Sequence, residues 1–188
     1  MSTVFISDRE FTKINSSELP KGTYEECQFI NCDFSNSDLS SYKFISCDWE
    51  ECNLSLSKIN NCLLQAVRFK QCKMIGIHFE YANPFGLELA FDQCNLNHCS
   101  FYQLKLKGTQ FLNCEMNDVD FTEADLSGSS FHESDLSSAI FEQSNLEKCD
   151  FSSAKGFIIN PKENKLKQAI FSLEGLPGLL QNIGIQIK

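Results

Sequence analysis

Three kinds of side chain in this 188-residue chain could do chemistry: ten cysteines, three histidines and a dense run of carboxylates. Cysteines at suitable spacing form disulfides or hold zinc. Histidines act as bases or ligands. Paired carboxylates transfer protons, and carboxylates in bulk repel phosphate backbones. The positions of the cysteines decide among these uses. Cys27, Cys32, Cys47, Cys52, Cys62 and Cys72 each stand two residues before a large apolar residue, as do Cys94, Cys99, Cys114 and Cys149. The partners are Phe29, Phe34, Trp49, Leu54, Leu64, Met74, Leu96, Phe101, Met116 and Phe151. Elsewhere the same slot holds Ala or Ser, as at Ala124, Ser129, Ser134 and Ala139. Cysteine there reads as a small buried hydrophobe. No C-x₂-C or histidine spacing suggests zinc. No nucleophile–base pair or Gly-rich phosphate loop appears either.

The slot belongs to a repeat of five. Between Asp120 and Phe151 the large residues are Phe121, Leu126, Phe131, Leu136, Phe141, Leu146 and Phe151. On an α-helix, five steps of about 100° scatter such residues around the axis. On a straight strand, an odd spacing sends alternate ones to opposite faces. The pattern is coherent only if the chain turns once per repeat. Each repeat is then a three-residue side, with the large residue (the centre) and the slot pointing inward, followed by a two-residue corner. Phe alternates with Leu or Met from Phe91 onward, so stacking like on like needs an even number of sides. Four is the simplest, with about twenty residues per coil and coils about 4.8 Å apart. Some cysteines then lie one coil apart, such as Cys27 and Cys47, Cys52 and Cys72, or Cys94 and Cys114. Stacked parallel side chains rarely present the disulfide torsion, and cytosolic thiols stay reduced. His78, His98 and His132 fall at outward or corner positions and read as solvated.

These residues resemble those of pentapeptide-repeat proteins. The A(D/N)Lxx motif stands at Ala124-Asp125-Leu126, and in looser form at Ser37-Asp38-Leu39, Ser134-Asp135-Leu136 and Ser144-Asn145-Leu146. The resemblance covers roughly Leu19 to Ala154 and implies an all-β solenoid, a right-handed quadrilateral β-helix. The C-terminal "LLQNIGIQI" and "GFIINPKENK" resemble the Qnr quinolone-resistance and microcin B17 immunity group. That likeness implies a homodimer joined through the C-terminal element. It also implies a partner, DNA gyrase or topoisomerase IV, and protection of it from a quinolone or a peptide toxin. The chain departs from the enterobacterial Qnr pattern in having no long insertion of the size of their projecting loops.

The expected organisation has five parts: an N-terminal cap or edge strand over 1–18, coils over 19–80, a frame-shift bulge or short loop over 81–90, coils over 91–156, and a helical tail over 157–188. The bulge is placed at "EYANPFGLELAF", where the frame shifts by two and Pro84 has no N–H for a ladder. It is either a scar without a role or a hinge and partner contact at Pro84, Phe85 and Gly86. In the tail, Asn160-Pro161-Lys162-Glu163 reads as a helix start. Leu173, Leu176, Leu179, Leu180 and Ile183 read as a capping or dimer surface. A second short helix is expected over Ser172–Ile183, ended by Gly184, and "IGIQIK" should form a last strand or tail.

Charge points to a surface function. The chain carries a net charge of −9, so ordinary DNA or RNA binding is not expected. Residues 115–150 hold ten acids against one lysine. The partner-contact candidates among them are Glu115, Asp118, Asp120, Glu123, Asp125, Glu133, Asp135 and Glu142. On a solenoid of the expected pitch this segment carries about one charge per ångström of rod, denser than duplex DNA. It could therefore occupy a basic groove shaped for DNA. Its acids are spread around all four sides, however, and an Asp before the centre also belongs to the fold motif. No cofactor or catalytic residue is expected. Without a long apolar run or a leader-like N-terminus, the chain is expected in the cytoplasm. Three uses stay open: a topoisomerase-binding DNA mimic, a scaffold for a different partner, and, least favoured by the residues, an enzyme.

Overall fold

The computed structural model describes residues 4–183 and residue 185. The chain winds into a β-solenoid of about 8 turns ending in a small helix. Its strands in chain order are β1 (Val4–Ser7), β2 (Glu10–Thr12), β3 (Gly22–Glu25), β4 (Gln28–Ile30), β5 (Lys43–Ile45), β6 (Asp48–Glu50), β7 (Leu63–Gln65), β8 (Val67–Lys70), β9 (Leu89–Asp92), β10 (Gln110–Leu112), β11 (Asp150–Phe151) and β12 (Ile170–Phe171). One side of the coil is the parallel sheet β1-β3-β5-β7. The next side is the six-stranded sheet β2-β4-β6-β8-β9-β10. The third and fourth sides are held by single parallel bridges, such as Asp33↔Asn53, Asn95↔Glu115 and Ser100↔Asp120. Four sides per coil is therefore the observed geometry.

Backbone hydrogen bonds fix the pitch. Each centre donates its N–H to the coil above, as Phe34 does to the Asn53 carbonyl at 2.7 Å, and Asn53 donates back to the Cys32 carbonyl at 2.9 Å. Corners close with a bond from the next slot to the centre's carbonyl, as from Ala124 N–H to Phe121 at 3.0 Å. The second corner residue takes positive φ even when it is not glycine, as at Asn31 (53°), Asn36 (55°), Leu56 (58°) and Gln103 (57°). A left-handed residue costs about 1–2 kcal/mol, and the cross-coil ladder on both sides of each corner holds it in place.

Centres and slots are buried in the regular coils, from Leu19 to Ala82 and from Leu89 to Ala154. With like stacked on like, the second side carries one continuous aromatic column: Phe11, Phe29, Trp49, Phe69, Phe91, Phe111, Phe131, Phe151 and Phe171. Phe111 and Phe131 stack at 5.1 Å with planes 5° apart. On the opposite side Phe79, Phe101, Phe121 and Phe141 form a second column. The two columns meet edge to face across the core, as Phe111 and Phe121 do at 5.8 Å and 77°. Both geometries suit the aromatic quadrupole.

The regularity breaks at three places. Register advances twenty residues per coil from Phe29 to Trp49, but twenty-two from Phe69 to Phe91. The two extra residues lie in the corner after Pro84. No bridge joins Asn83 to Lys105 among the described residues, although Leu63↔Asn83 and Lys105↔Asp125 flank the gap. Pro84 stands at a centre position, lacks the N–H that would cross it, and is exposed. Leu87 packs against the core beside it. At the N-terminus the first coil advances only eighteen residues, Phe11 to Phe29, because a 3₁₀ turn at Ser16–Glu18 replaces a strand and corner. At the C-terminus the structure differs from the sequence reading. Asn160–Glu163 is not a helix start but a turn within a further coil, which is bridged at Asn145↔Lys165 and at β11–β12. Slots continue through Ala154, Ile159 and Asn164. The only α-helix among the described residues is α1 (Leu176–Leu180), and a 3₁₀ turn follows at Gln181–Ile183. The expected helix end at Gly184 and most of the expected last strand lie outside the described residues.

Phe131 is fully buried and Glu133 is exposed. Phe131→Asp should abolish cooperative melting of the neighbouring coils, because it buries an unpaired charge. Glu133→Lys should shift the midpoint by no more than a surface change does, about 0.5 kcal/mol. Comparable losses in both, read by thermal circular dichroism, would contradict the inside–outside assignment.

Candidate partner-binding surface

The core offers no site. Its internal void between Leu39 and Phe79, among the described residues, is about 10 Å³. All ten cysteines are buried and unbridged, and no cluster among the described residues could hold a metal ion. The slot has a chemical job that spacing alone did not reveal: its side chain donates to the carbonyl of a centre one coil below. Cys52 Sγ reaches the Phe29 carbonyl at 3.3 Å, Cys99 the Met74 carbonyl at 2.9 Å, and Cys149 the Leu126 carbonyl at 2.9 Å. Ser129 and Ser144 do the same at 2.9 Å, and Asn164 does so to Phe141 at 2.7 Å. Cysteine and serine thus interchange as compact donors. Burial pushes the thiols of Cys62, Cys99 and Cys149 up to about 12.

Chemistry is therefore confined to the outer surface, where the candidate carboxylates divide by role. Asp120, Asp125 and Asp135 each precede a centre and accept the N–H two residues on, from Thr122 at 2.8 Å, Ser127 at 3.2 Å and Ser137 at 2.9 Å. Asp33, Asp38 and Asp150 do likewise with Ser35, Ser40 and Ser152. These Asx bonds rigidify corners. Hydrogen bonds from Ser35, Ser40 and Ser152 hold the carboxyls of Asp33, Asp38 and Asp150 below the ordinary aspartate range. At Asp125 burial pushes upward, but Ser127 and Lys107 outweigh it, so its carboxyl is also lowered. Glu115 accepts from Asn95 Nδ2 at 2.6 Å and Glu123 from Gln103 Nε2 at 2.8 Å. Asp118 lies 3.6 Å from His98. Glu133 is exposed and Glu142 is exposed; neither carboxylate takes part in any of these contacts. The candidates therefore sit on different sides of the last coils and form a belt, not a single patch.

The N-terminal coils differ in charge pattern. On the second side, Arg68 pairs with Asp48 at 2.6 Å and Lys70 with Glu50 at 2.7 Å, one coil apart. These columns wall a shallow groove of about 340 Å³. At the frame shift, Phe85 is 76% exposed and Tyr81 58% exposed. In the tail, Leu173 is 81% exposed, and Leu176 and Ile183 are exposed, whereas Leu179 packs against the core and Leu180 is half-buried. The capping contacts of the fold motif were the signal missed in sequence: where an Asp or Asn precedes a centre it commonly caps the following corner, as Asp33, Asn53 and Asp120 do.

Such a molecule is a repeat solenoid whose working surface is its polar exterior. The chain belongs to the pentapeptide repeat family: the family model of the pentapeptide repeat region matches residues 23–84 and 87–151. The interruption coincides with Phe85 and Gly86. Among solved structures, a trypsin-treated form of QnrB1, described as a plasmid-mediated fluoroquinolone resistance protein, has a TM-score of 0.67 at 19% identity. That likeness covers 97% of this chain and 100% of the other. A second trypsin-treated form gives 0.64 at 17% identity over 95% and 98% of the two chains. At these identities the likeness shows the fold. No curated protein matches the chain in sequence. No described helix is long and apolar enough to cross a membrane.

Two outcomes follow. None of the ten thiols should react with a water-soluble disulfide reagent until the protein unfolds, when all ten should. Stability should also fall in acid. The lowered carboxyls at Asp33, Asp38, Asp125 and Asp150 contribute stability above the unfolded aspartate value of about 3.9, and that contribution is lost as pH drops through their folded values. Denaturant midpoints should be level from about pH 7 to 5 and decline below about pH 4; a level profile in acid would refute this assignment of the caps.

Proposed function

We propose that this protein binds a type II topoisomerase, DNA gyrase or topoisomerase IV, and protects it from a quinolone or a peptide toxin. The reading is carried by the acid belt: ten carboxylates against one lysine over residues 115–150, on a rigid rod. Such a field would steer the rod into a basic duplex-binding groove and make association salt-sensitive. Likeness in fold to QnrB1 along the whole chain supports the choice of partner. In this reading the protein is a cytoplasmic interaction module and not an enzyme. It acts by displacing DNA or by rearranging the enzyme–DNA–drug complex. Exposed Tyr81 and Phe85 beside Pro84 and Gly86 add an apolar contact to the charged one. The same contact favours the second reading, a scaffold for a different partner. The exposed Leu173, Leu176 and Ile183 support a tail-to-tail homodimer, with Leu179 and Leu180 supporting that surface from beneath.

A supercoiling assay with purified gyrase tests the reading. The protein should inhibit the enzyme or rescue it from ciprofloxacin or microcin B17. The double change Glu133→Lys and Glu142→Lys should weaken the effect about tenfold and reduce its salt dependence. No effect at micromolar protein would favour the scaffold. Leu173→Asp should convert the dimer to monomer in sedimentation; an unchanged species would remove the tail contact.

A further inference from the structure

The two ends of the solenoid are finished differently. At the C-terminal end the chain folds back so closely that a Cβ on Gly178 would stand 2.2 Å from the Phe157 carbonyl oxygen, and Ile159 N–H donates to the Gly178 carbonyl at 3.0 Å. At the N-terminal end the cover is partial. On the third side, the outward N–H of Asn15 is taken by the Glu18 carboxylate at 3.0 Å, which also accepts from Asn15 Nδ2 at 2.8 Å. The 3₁₀ turn follows, and Pro20 has no N–H to offer. Among the described residues the first and second sides carry no such device. β1 and β2 are the outermost strands of their sheets. In a parallel ladder, a bridged residue on one strand bonds to the neighbours of its partner, so the partner's own peptide groups face the other way. Phe5 bridges Thr23, Ser7 bridges Glu25 and Glu10 bridges Gln28. Gln28 N–H accordingly donates to the Arg9 carbonyl at 2.9 Å, and Asp8 N–H to the Glu25 carbonyl at 3.1 Å. The N–H and C=O of Phe5 and Ser7 therefore point off the end of the solenoid.

The open edge has a chemistry of its own. β1 is uncharged, and its Phe5 side chain is 65% exposed. Through residue 22, Asp8, Glu10 and Glu18 are balanced by Arg9, Lys13 and Lys21. This end is neutral although the chain carries −9. Two copies can meet here without the repulsion that the acidic coils would impose.

We propose that β1 pairs antiparallel with β1 of a second copy, joining two solenoids head to head. An isologous contact about a two-fold axis requires self-complementarity, and an antiparallel strand pair centred on one residue has it. Phe5 then exchanges both peptide hydrogen bonds with Phe5 of the second copy, and the two rings lie side by side on the outer face. The contact uses the edge that Glu18 leaves open and is independent of the topoisomerase reading and of the tail.

The full-length chain carrying Leu173→Asp, which removes the tail contact from the measurement, provides the test. In such an antiparallel pair the facing Cα atoms stand about 5.5 Å apart, within disulfide range. Phe5→Cys treated with copper–phenanthroline in air should become a disulfide-linked dimer in high yield, while Glu123→Cys, also exposed but on the acidic coils, stays at background. Cross-linking no greater at Phe5→Cys than at Glu123→Cys overturns the proposal. Phe5→Asp, which sets two carboxylates face to face, should weaken self-association by about tenfold or more in sedimentation equilibrium, with an unchanged circular dichroism spectrum. Association unaffected by Phe5→Asp, or capture of a foreign strand at β1 in place of a second copy, also overturns it.

Discussion

The hydrogen-bond ladder between successive coils governs this structure. Each centre donates upward and each preceding residue donates downward, as Phe34 and Asn53 do. The pitch is thereby set by peptide geometry, about 4.8 Å, and side chains must fit it. An aromatic ring stacked on its equivalent fits well, which is why nine rings from Phe11 to Phe171 line one wall. A slot residue must be compact and, where it can, donate to the carbonyl beneath it. Cysteine, serine and asparagine meet that need at Cys52, Ser129 and Asn164. The same ladder holds corner residues such as Leu56 in a conformation an isolated chain would avoid.

A core filled in this way leaves function to the exterior. The void between Leu39 and Phe79 is at the lower limit of the room one water needs, and the thiols are sequestered packing groups. Outside, fold and recognition share residues. Asp120, Asp125 and Asp135 cap corners while contributing to the acid belt. A protein that presents charge through its own turn chemistry holds that charge rigidly, with little entropy left to lose on binding. Glu133 and Glu142 lie outside the capping scheme, so they are the residues through which charge can be altered without disturbing a corner.

Departures from regularity mark where the ladder is interrupted. Pro84 and a two-residue excess remove the Asn83–Lys105 rung and bring Phe85 and Tyr81 to the surface. At the first coil the ladder ends, closed by Glu18 on one side and open at β1 on another. The most exposed aromatic rings, Phe85, Phe5 and Tyr81, lie at these sites, and in the regular coils the centres turn their rings inward, with Tyr102 at a corner the exposed exception.

The sequence by itself determined the interval of five, the inward centres and slots, the four-sided coil and the inward cysteines, because each of these is a statement about which residue type recurs where. It also located the frame shift, since Pro84 cannot donate. Tertiary structure decided what type and interval cannot express. Beyond Ala154 the centre positions hold Gly156 and Pro161, so the large-residue signal disappears, yet the slots at Ile159 and Asn164 still stack and the solenoid continues. A helix start read from Asn160 and Pro161 became a turn because Asn164 found the Phe141 carbonyl, a residue twenty-three positions earlier. The donor role of the slot and the capping role of the aspartates were hidden for the same reason. Both depend on where a backbone carbonyl or N–H points, and only the wound chain, with one coil laid on another, fixes that direction.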